Sequence, residues 1–294
     1  MTAEVSRAGT ADLARLVTFL DEGFVFGKGR SISLAHRFPG VFDTGNAQNL
    51  FFIEQNGLVV SALAARPFVW LADGRSWRGA MVGSVLTETA HRGAGFAGRL
   101  LSHAAKILHG EGADFAVLWT AQADFYRKLG WQSSDRGMFG EAGGRSSSDL
   151  PQPAVAGEQW DRVRGIRARW QPEGLQRHAA DYGKLPLPAE SVHVFLDGAD
   201  GHEAYALVGR AGTSGIVYEM IGHPDNFAAI WRDISVRFAK VLINDCEDSE
   251  SHRWHKTHSS VAWQAKPLAM WLPLSSDIDF ATMRNWYVPY FDRI

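Results

Sequence analysis

Two turn signals divide residues 50–88 into strands. Asn56-Gly57 and Asp73-Gly74 are typical of two-residue turns between antiparallel strands, because both turn positions need a left-handed backbone. The segments between them are largely apolar and cover roughly 50–55, 58–70 and 76–88. We therefore expect an antiparallel meander of three strands in this part of the chain.

A glycine-rich junction follows the third strand. The stretch "TETAHRGAGFAGRLL", residues 87–101, passes from glycines and alanines into apolar residues at helical spacing. A helix N-terminus presents unpaired N–H groups and a positive dipole end, and small residues before it let a bulky anion approach the backbone. The junction therefore predicts a pyrophosphate site.

A dinucleotide fingerprint is one interpretation of the junction. Gly93, Gly95 and Gly98 fit G-x-G-x-x-G between a strand and a helix. That fingerprint belongs to a parallel β-α-β unit with an acidic residue about 20 positions later. Here the preceding strand ends an antiparallel meander and the acidic residue is missing, so the context disfavours a dinucleotide fold.

A second pattern fits the context better. Arg92, Gly95 and Ala97 form Arg-x-x-Gly-x-Ala, which resembles the acyl-CoA pyrophosphate loop of the GCN5-related N-acetyltransferases. The strand-like "FAVLWT" and the segment "FYRKLGW" follow in that family's order, so the resemblance covers residues 1–140. "LWTAQADFYRKLGW" is similar to the enhanced-intracellular-survival type, which has tandem acetyltransferase-like halves.

The resemblance implies a mixed α+β fold and acetyl-CoA as cofactor. Backbone groups of Val85, Leu86 and Thr87 would pair with the amides of the pantetheine arm, much as an added strand pairs with a sheet edge. The pyrophosphate would lie on the loop amides, which belong to Arg92, Gly93, Ala94, Gly95, Phe96, Ala97 and Gly98. An amide in the gap between strands would polarise the acetyl carbonyl.

Two side chains are the predicted catalytic residues. Tyr126 in "FYRKLGW" matches the family's tyrosine, which protonates the leaving thiolate; the alternative is an ordinary core aromatic. A phenol with a pKa near 10 needs help from its site to protonate a thiolate whose thiol has a pKa near 8.5. Glu88 is the predicted base, with a solvated carboxylate, the neighbouring His91 or a chain of waters as alternatives.

The second half of the chain repeats the order of elements in the first. Residues 141–158 are rich in Gly, Ser and Pro and predict a linker between domains 1–145 and 146–294. We expect two tandem acyl-CoA N-acyltransferase-like domains, each a mainly antiparallel sheet flanked by helices. In the second, Glu219 and His223 lie at the end of the third strand, and "GHPDNFAAI" at this point lacks the glycine loop, so this domain is predicted to line the acceptor cleft without binding CoA.

The chain departs from the enhanced-intracellular-survival type in length. That type has a third, sterol-carrier-like domain whose terminal carboxylate reaches the active site, whereas about 150 residues here follow the first domain. We do not carry that role over to the terminal "YVPYFDRI".

Other reactive residue types are assigned no chemistry. His252, His255 and His258 are spaced by three, but "SESHRWHKTHSS" is otherwise loop-like and offers no fourth ligand, so no metal site is predicted. The single Cys246 is predicted to be a small buried hydrophobic residue.

Charge and composition limit the partners. A net charge of −2 provides no basic surplus for nucleic acid, and no apolar run is long enough for a membrane span. We expect a cytoplasmic monomer or homodimer that moves an acetyl group directly to a primary amine of a small molecule or peptide. A non-catalytic acyl-CoA sensor is the alternative, and transfer from aminoacyl-tRNA is disfavoured by the charge.

Overall fold

The computed structural model describes residues 4–145, 154–185, 189 and 191–294. Helices of the first half are α1 (Leu13–Phe24), α2 (Leu34–Arg37), α3 (Phe96–Gly110) and α4 (Ala123–Arg127). Its strands are β1 (Val5–Arg7), β2 (Leu50–Gln55), β3 (Leu58–Ala72), β4 (Arg75–Thr87), β5 (Phe115–Trp119), β6 (Gln132–Ser133) and β7 (Gly137–Gly143).

The second half adds four helices and eight strands among the described residues. The helices are α5 (Trp160–Trp170), α6 (Phe227–Arg237), α7 (Glu250–His258) and α8 (Phe280–Met283). The strands are β8 (Ala154–Val155), β9 (Gly174–Gln176), β10 (Ser191–Asp197), β11 (Ala204–Ala211), β12 (Ser214–Gly222), β13 (Lys240–Cys246), β14 (Ala262–Ala265) and β15 (Ala269–Pro273).

The strands form two mainly antiparallel sheets. The first has the order β1-β2-β3-β4-β5-β15-β6, with β9 paired to β3. The second has the order β14-β7-β13-β12-β11-β10-β8. Parallel pairs occur at the corresponding place in each sheet, β4 with β5 and β12 with β13. The mixed α+β class, the first meander and the two-sheet architecture are confirmed.

Each sheet takes strands from the other half of the chain, and the first sheet takes β9 as well as β15. Strand β7 lies between β14 and β13 in the second sheet, and β15 lies between β5 and β6 in the first. The sequence places "AMWLPL" with the second half, and the structure puts this strand in the first sheet, where Met270 and Trp271 are fully buried. The division at residues 145 and 146 stays a prediction, and it does not separate the two sheets.

Helices cover both faces of the first sheet. Alternate residues of β2 point to opposite faces, so Phe51 and Ile53 pack with α3, while Phe52 packs with α1. A sheet covered on both faces needs apolar residues at successive positions, which explains the long apolar runs of β2 and β3. The cores on the two faces hold β4 in place, and this strand carries most of the candidate site.

Two local predictions for the second half need correction. The sequence predicts a helical segment over about 158–182 that is broken at Pro172; α5 does end before this proline, at Trp170, but β9 follows instead of more α-helix. The segment "SESHRWHKTHSS" is not loop-like, because residues 250–258 form α7. The Ser249 hydroxyl caps this helix by accepting from the amide of His252 at 2.9 Å. In the described part of the chain, no helix combines the length and apolar character that a membrane crossing requires.

Candidate active site

Strands β4 and β5 separate near the middle of β4. They pair in parallel at Gly79–Phe115, Ala80–Ala116 and Met81–Val117, and β4 then continues to Thr87 beside β3. The β4 edge beyond Met81 therefore lines a wedge between the strands, with backbone groups that β5 does not pair. Val85, Leu86 and Thr87 lie on this edge, as the sequence analysis expected.

A bulge distorts β4 inside the wedge. Between the pairs Ala62–Leu86 and Ala64–Gly83, the β4 residues Ser84 and Val85 oppose the single residue Leu63. Ser84 has a φ of +51°, a left-handed backbone that is uncommon for a residue with a side chain. Ser84 is not among the residues predicted from the sequence, although a glycine within a strand, here Gly83, is a signal for a bulge.

The glycine-rich loop forms the mouth of the wedge. Gly93 and Gly95 have φ values of +83° and +78°, and a β-carbon at either residue would meet no atom within 4 Å. These two glycines are therefore required for the left-handed backbone rather than for room. Gly95 precedes α3 without a side-chain cap, so the first N–H groups of the helix have no partner within it.

Two grooves flank the loop, and each is lined by some of the predicted residues. The groove on the α1 side has a volume of about 640 Å³ and is lined by Leu86, Thr87, Glu88 and Arg92, together with Arg15 and Glu22 from α1. The groove on the α3 side has a volume of about 580 Å³, and its lining includes Gly95, Gly98, Arg99, Ser102, His103 and Leu129.

The arginine beside the α3-side groove was missed. Arg92 turns toward β4, where its Nε donates to the Thr87 carbonyl at 3.4 Å. Arg99 lies on the first turn of α3, with its guanidinium 6.0 Å from the centre of the Phe96 ring. A basic residue one turn beyond the glycines is the sequence signal that could have identified it.

Tyr126 lies on α4 and packs against the core beneath α3. Its ring makes edge contacts with Phe125 and Trp131, at centroid distances of 5.0 and 6.3 Å. Burial raises the pKa of the phenol, and no charged neighbour offsets this rise. The phenol is therefore protonated at neutral pH, and the expected help in lowering its pKa is not present in the free protein.

Glu88 lies where β4 ends. Its amide donates to the Val60 carbonyl at 2.9 Å, which fixes the backbone, while its side chain is 54% exposed. The Nε2 of His91 lies 3.5 Å from the Glu88 carboxylate. The structure therefore places Glu88 at the wall of the α1-side groove, with His91 beside it.

The last residues of the described chain enter the wedge. Ile294 packs beside Gly83, and the Arg293 guanidinium lies 5.1 Å from the centre of the Trp119 ring at the end of β5. The segment "YVPYFDRI", to which the sequence analysis assigned no role, therefore forms part of the wall between β4 and β5.

Glu219 and His223 of the second half contact neighbouring side chains that hold them in place. Glu219 accepts hydrogen bonds from Arg167, Arg177 and the Tyr205 hydroxyl. Burial raises the pKa of Glu219, but the two arginines outweigh it and bring the pKa down to about 2. His223 is edge-on to the Trp170 ring at a centroid distance of 5.2 Å.

Cys246 and the histidines of α7 show no reactive arrangement. Burial raises the pKa of the Cys246 thiol to about 12, which leaves it protonated and unreactive. His252 and His255 are buried edge-on to Trp263 and Trp231, at centroid distances of 4.7 and 4.6 Å. Exposed His258 stacks on Trp254, and no group of three or more potential ligands for a metal ion occurs in the described ranges.

The splayed parallel pair and the glycine loop match the arrangement expected of a GNAT-type acyltransferase. The family model of the GNAT acetyltransferase domain matches residues 4–133. The first part of the chain is therefore similar to the GNAT acetyltransferase domain. No curated protein sequence matches the chain.

Solved structures share the two-sheet fold over nearly the whole chain. A conserved protein of unknown function from Enterococcus faecalis V583 is 14% identical, with a TM-score of 0.72, 93% of this chain and 73% of that chain covered. A GCN5-related N-acetyltransferase from Anabaena variabilis is 17% identical, with a TM-score of 0.71 and coverages of 92% and 73%. Eis1 from Mycobacterium abscessus is 12% identical, with a TM-score of 0.62 and coverages of 93% and 74%. At these identities the likeness concerns the fold.

Proposed function

We propose that the protein is an acetyl-CoA-dependent N-acetyltransferase that moves the acetyl group directly to a primary amine of a small molecule or peptide. The observation that carries the proposal is the wedge between β4 and β5, with the left-handed Gly93 and Gly95 at its mouth. An unpaired strand edge suits the amides of a pantetheine arm, and uncapped amides at a helix start suit a pyrophosphate.

The residues along the wedge can contact acetyl-CoA in order, from its thioester through its pantetheine arm to its phosphates. Bound acetyl-CoA supplies an activated thioester carbonyl. The bulge at Ser84 redirects a backbone amide of β4, which can polarise that carbonyl, and the β4 backbone from Val85 to Thr87 can hold the pantetheine arm. The amides of Gly93–Gly98 and the charge of Arg99 bind the phosphates.

Tyr126 acts as the general acid. Its burial keeps the phenol protonated before transfer, so it holds a proton for the departing sulfur. Because the phenol pKa is raised, the proton moves only as negative charge develops on the sulfur. Positioning and carbonyl polarisation therefore contribute more to the rate than acid strength.

Glu88 accepts the proton that the attacking amine loses. The α1-side groove, which Glu88 lines together with Glu22, binds the acceptor. Two carboxylates favour a cationic amine over a neutral one, although Arg15 and Arg92 lie on the same groove. His91 orients the Glu88 carboxylate through their 3.5 Å contact.

Residues 146–294 form the second acetyltransferase-like domain in this proposal. Its Glu219 is neutralised by two arginines, and "GHPDNFAAI" lacks the left-handed glycine pair of the first domain. The second domain supports the first through β15 and the terminal segment and does not bind CoA.

The test is release of free thiol from acetyl-CoA with a panel of amines. We expect turnover with at least one amine, a drop of about 100-fold for Tyr126→Phe and a similar drop for Glu88→Gln, each with nearly unchanged CoA affinity. Unchanged turnover in Tyr126→Phe would contradict the acid role. Tight CoA binding without turnover on any amine would favour the alternative, a non-catalytic acyl-CoA sensor.

A further inference from the structure

The second sheet also has a wedge, with a different lining. β12 and β13 pair in parallel from Ser214–Lys240 to Val217–Ile243 and then separate. The space beyond holds a cavity of about 470 Å³ between Tyr218–Gly222 of β12 and Asn244–Cys246 of β13, closed by the start of α7 and the end of α5.

The described residues that line the cavity include acidic and aromatic side chains but no basic side chain. Among the described residues that line it there is no lysine, arginine or histidine. The carboxylates are Glu219, Asp245 and Glu250, and the aromatic rings are those of Trp170, Tyr218, Phe227 and Tyr287. This composition is unfavourable for an anion such as a CoA phosphate. It is favourable for a cation, which aromatic faces and carboxylates both attract.

Asp245 has unused capacity to accept hydrogen bonds. One carboxylate oxygen accepts from the Cys246 amide and the Ser249 hydroxyl, each at 2.7 Å. The other oxygen is buried and has no hydrogen-bond partner among the described residues. Burial raises the pKa of Asp245 to about 6, so the carboxyl is still ionised at neutral pH. A buried anionic oxygen without a donor is costly, and a ligand that donates a charged hydrogen bond would remove that cost.

Two further residues show which polar groups of the cavity already have hydrogen-bond partners within the protein and which do not. Ser251 is 3% exposed and lines the cavity; its hydroxyl lies near enough to Asp245 to lower the pKa of that carboxyl but forms no hydrogen bond by distance among the described residues. Glu219 differs from Asp245, because Arg167, Arg177 and Tyr205 occupy its oxygens. The free acceptors in the cavity are therefore concentrated at Asp245 and Ser251.

We infer that this cavity is a binding site for a small organic ammonium ion. The ammonium group donates hydrogen bonds to Asp245 and Ser251, and the carbon chain packs against the rings of Trp170 and Tyr287. The site is separate from the acyl-transfer wedge of the first sheet, and its existence does not depend on the proposed function.

The test is a calorimetric titration of the full chain with butylammonium chloride at pH 8, with 1-pentanol as the uncharged probe of similar length. We expect one saturable ammonium site, no saturable binding of 1-pentanol, and binding about tenfold weaker in the nearly isosteric Asp245→Asn. Trp170→Leu changes a side chain that is 38% exposed and should weaken binding several-fold without affecting folding.

Asp277→Asn is the matched control, because it removes an exposed carboxylate that pairs with Arg75 and lines neither the cavity nor the grooves beside the glycine loop. We expect it to bind butylammonium as the wild type does. Equal affinity in wild type and Asp245→Asn, equal binding of 1-pentanol, or loss of binding in Asp277→Asn would each overturn the inference. If Asp245→Asn fails to fold, unchanged affinity in Trp170→Leu overturns it instead.

Discussion

The main chain of Ile294 lies against Gly83, so close that a β-carbon at residue 83 would be 2.9 Å from the Ile294 oxygen. Gly83 directly precedes the bulge residue Ser84, and Ile294 also packs against two core clusters on the face of the sheet opposite α3. The wall of the acyl-transfer wedge therefore includes residues that are more than 200 positions apart in the chain.

Gly83→Ala should displace the terminal segment from the wedge. The added methyl group would collide with main-chain atoms, which cannot rotate away as a flexible side chain can. We expect acetyl transfer to fall about tenfold or more while CoA affinity stays within a factor of about two, both measured at saturating acceptor.

Gly165→Ala is the matched glycine control. Gly165 lies inside α5, and a β-carbon there would meet no atom within 4 Å. This variant should keep full activity and gain about 0.5–1 kcal/mol in urea unfolding. Equal activity of the two variants would show that the Gly83 contact does not shape the site.

Arg99→Ala should weaken CoA binding by about tenfold. Arg99 lines the groove that also contains Gly95 and Gly98, so its charge can reach a phosphate there. Binding should be measured by calorimetry at two salt concentrations, and the variant should show the weaker salt dependence. Arg75→Ala removes an equal charge from an exposed pair with Asp277 and should bind CoA normally. A similar loss in both variants would assign the effect to net charge.

Asp292→Asn should destabilise the fold by about 3–5 kcal/mol, because it leaves a buried arginine partly uncompensated. Both oxygens of Asp292 accept from Arg177, at 2.8 and 2.7 Å, and both side chains are at most 2% exposed. Urea unfolding of the variant measures the loss. Asp277→Asn at the exposed pair with Arg75 should change stability by less than about 1 kcal/mol. A loss of similar size in both would contradict the assignment.

His255 should make the protein sensitive to mild acid. Burial lowers the pKa of His255 to about 3, and the neighbouring His252 adds to this effect. Between that value and the unfolded pKa near 6.5, the unfolded state binds a proton that the folded state does not. Stability should therefore be complete above pH 6.5 and fall by up to about 1.4 kcal/mol per pH unit below it.

His255→Gln isolates this contribution. Urea unfolding between pH 7 and pH 4 should show a flatter profile for the variant than for the wild type, whatever its stability at pH 7. Parallel profiles would mean that His255 does not account for the acid sensitivity.

Local sequence signals were sufficient for the first meander and for the loop. Asn56-Gly57, Asp73-Gly74 and the glycines before Phe96 each specify a backbone shape over a few residues, and the structure has those shapes. The pairing of "AMWLPL" could not be predicted in this way. Its apolar residues suit a buried strand in either sheet, and the choice depends on where chain segments far apart in sequence meet.

The residues that form each site could also be predicted only in part from the sequence. Glu88 and Tyr126 stood out because they lie within or beside a motif, whereas Ser84 owes its interest to a bulge and Arg99 to the groove that it lines. Asp245 looked like an ordinary residue after a strand. Its free oxygen became apparent only when the burial around it was known.

The insertion of β15 between β5 and β6 has a consequence for synthesis on the ribosome. The first sheet cannot acquire its complete hydrogen-bonding pattern until residue 273 has left the exit tunnel, although its other long strands emerge within the first 120 residues. Until then, the edge of β5 that later pairs with β15 is unpaired in the nascent chain. Unpaired strand edges can form incorrect pairs with other strands. Completion of the first sheet is thus tied to translation of a distant segment, and a chain that ends before β15 would lack the strand between β5 and β6.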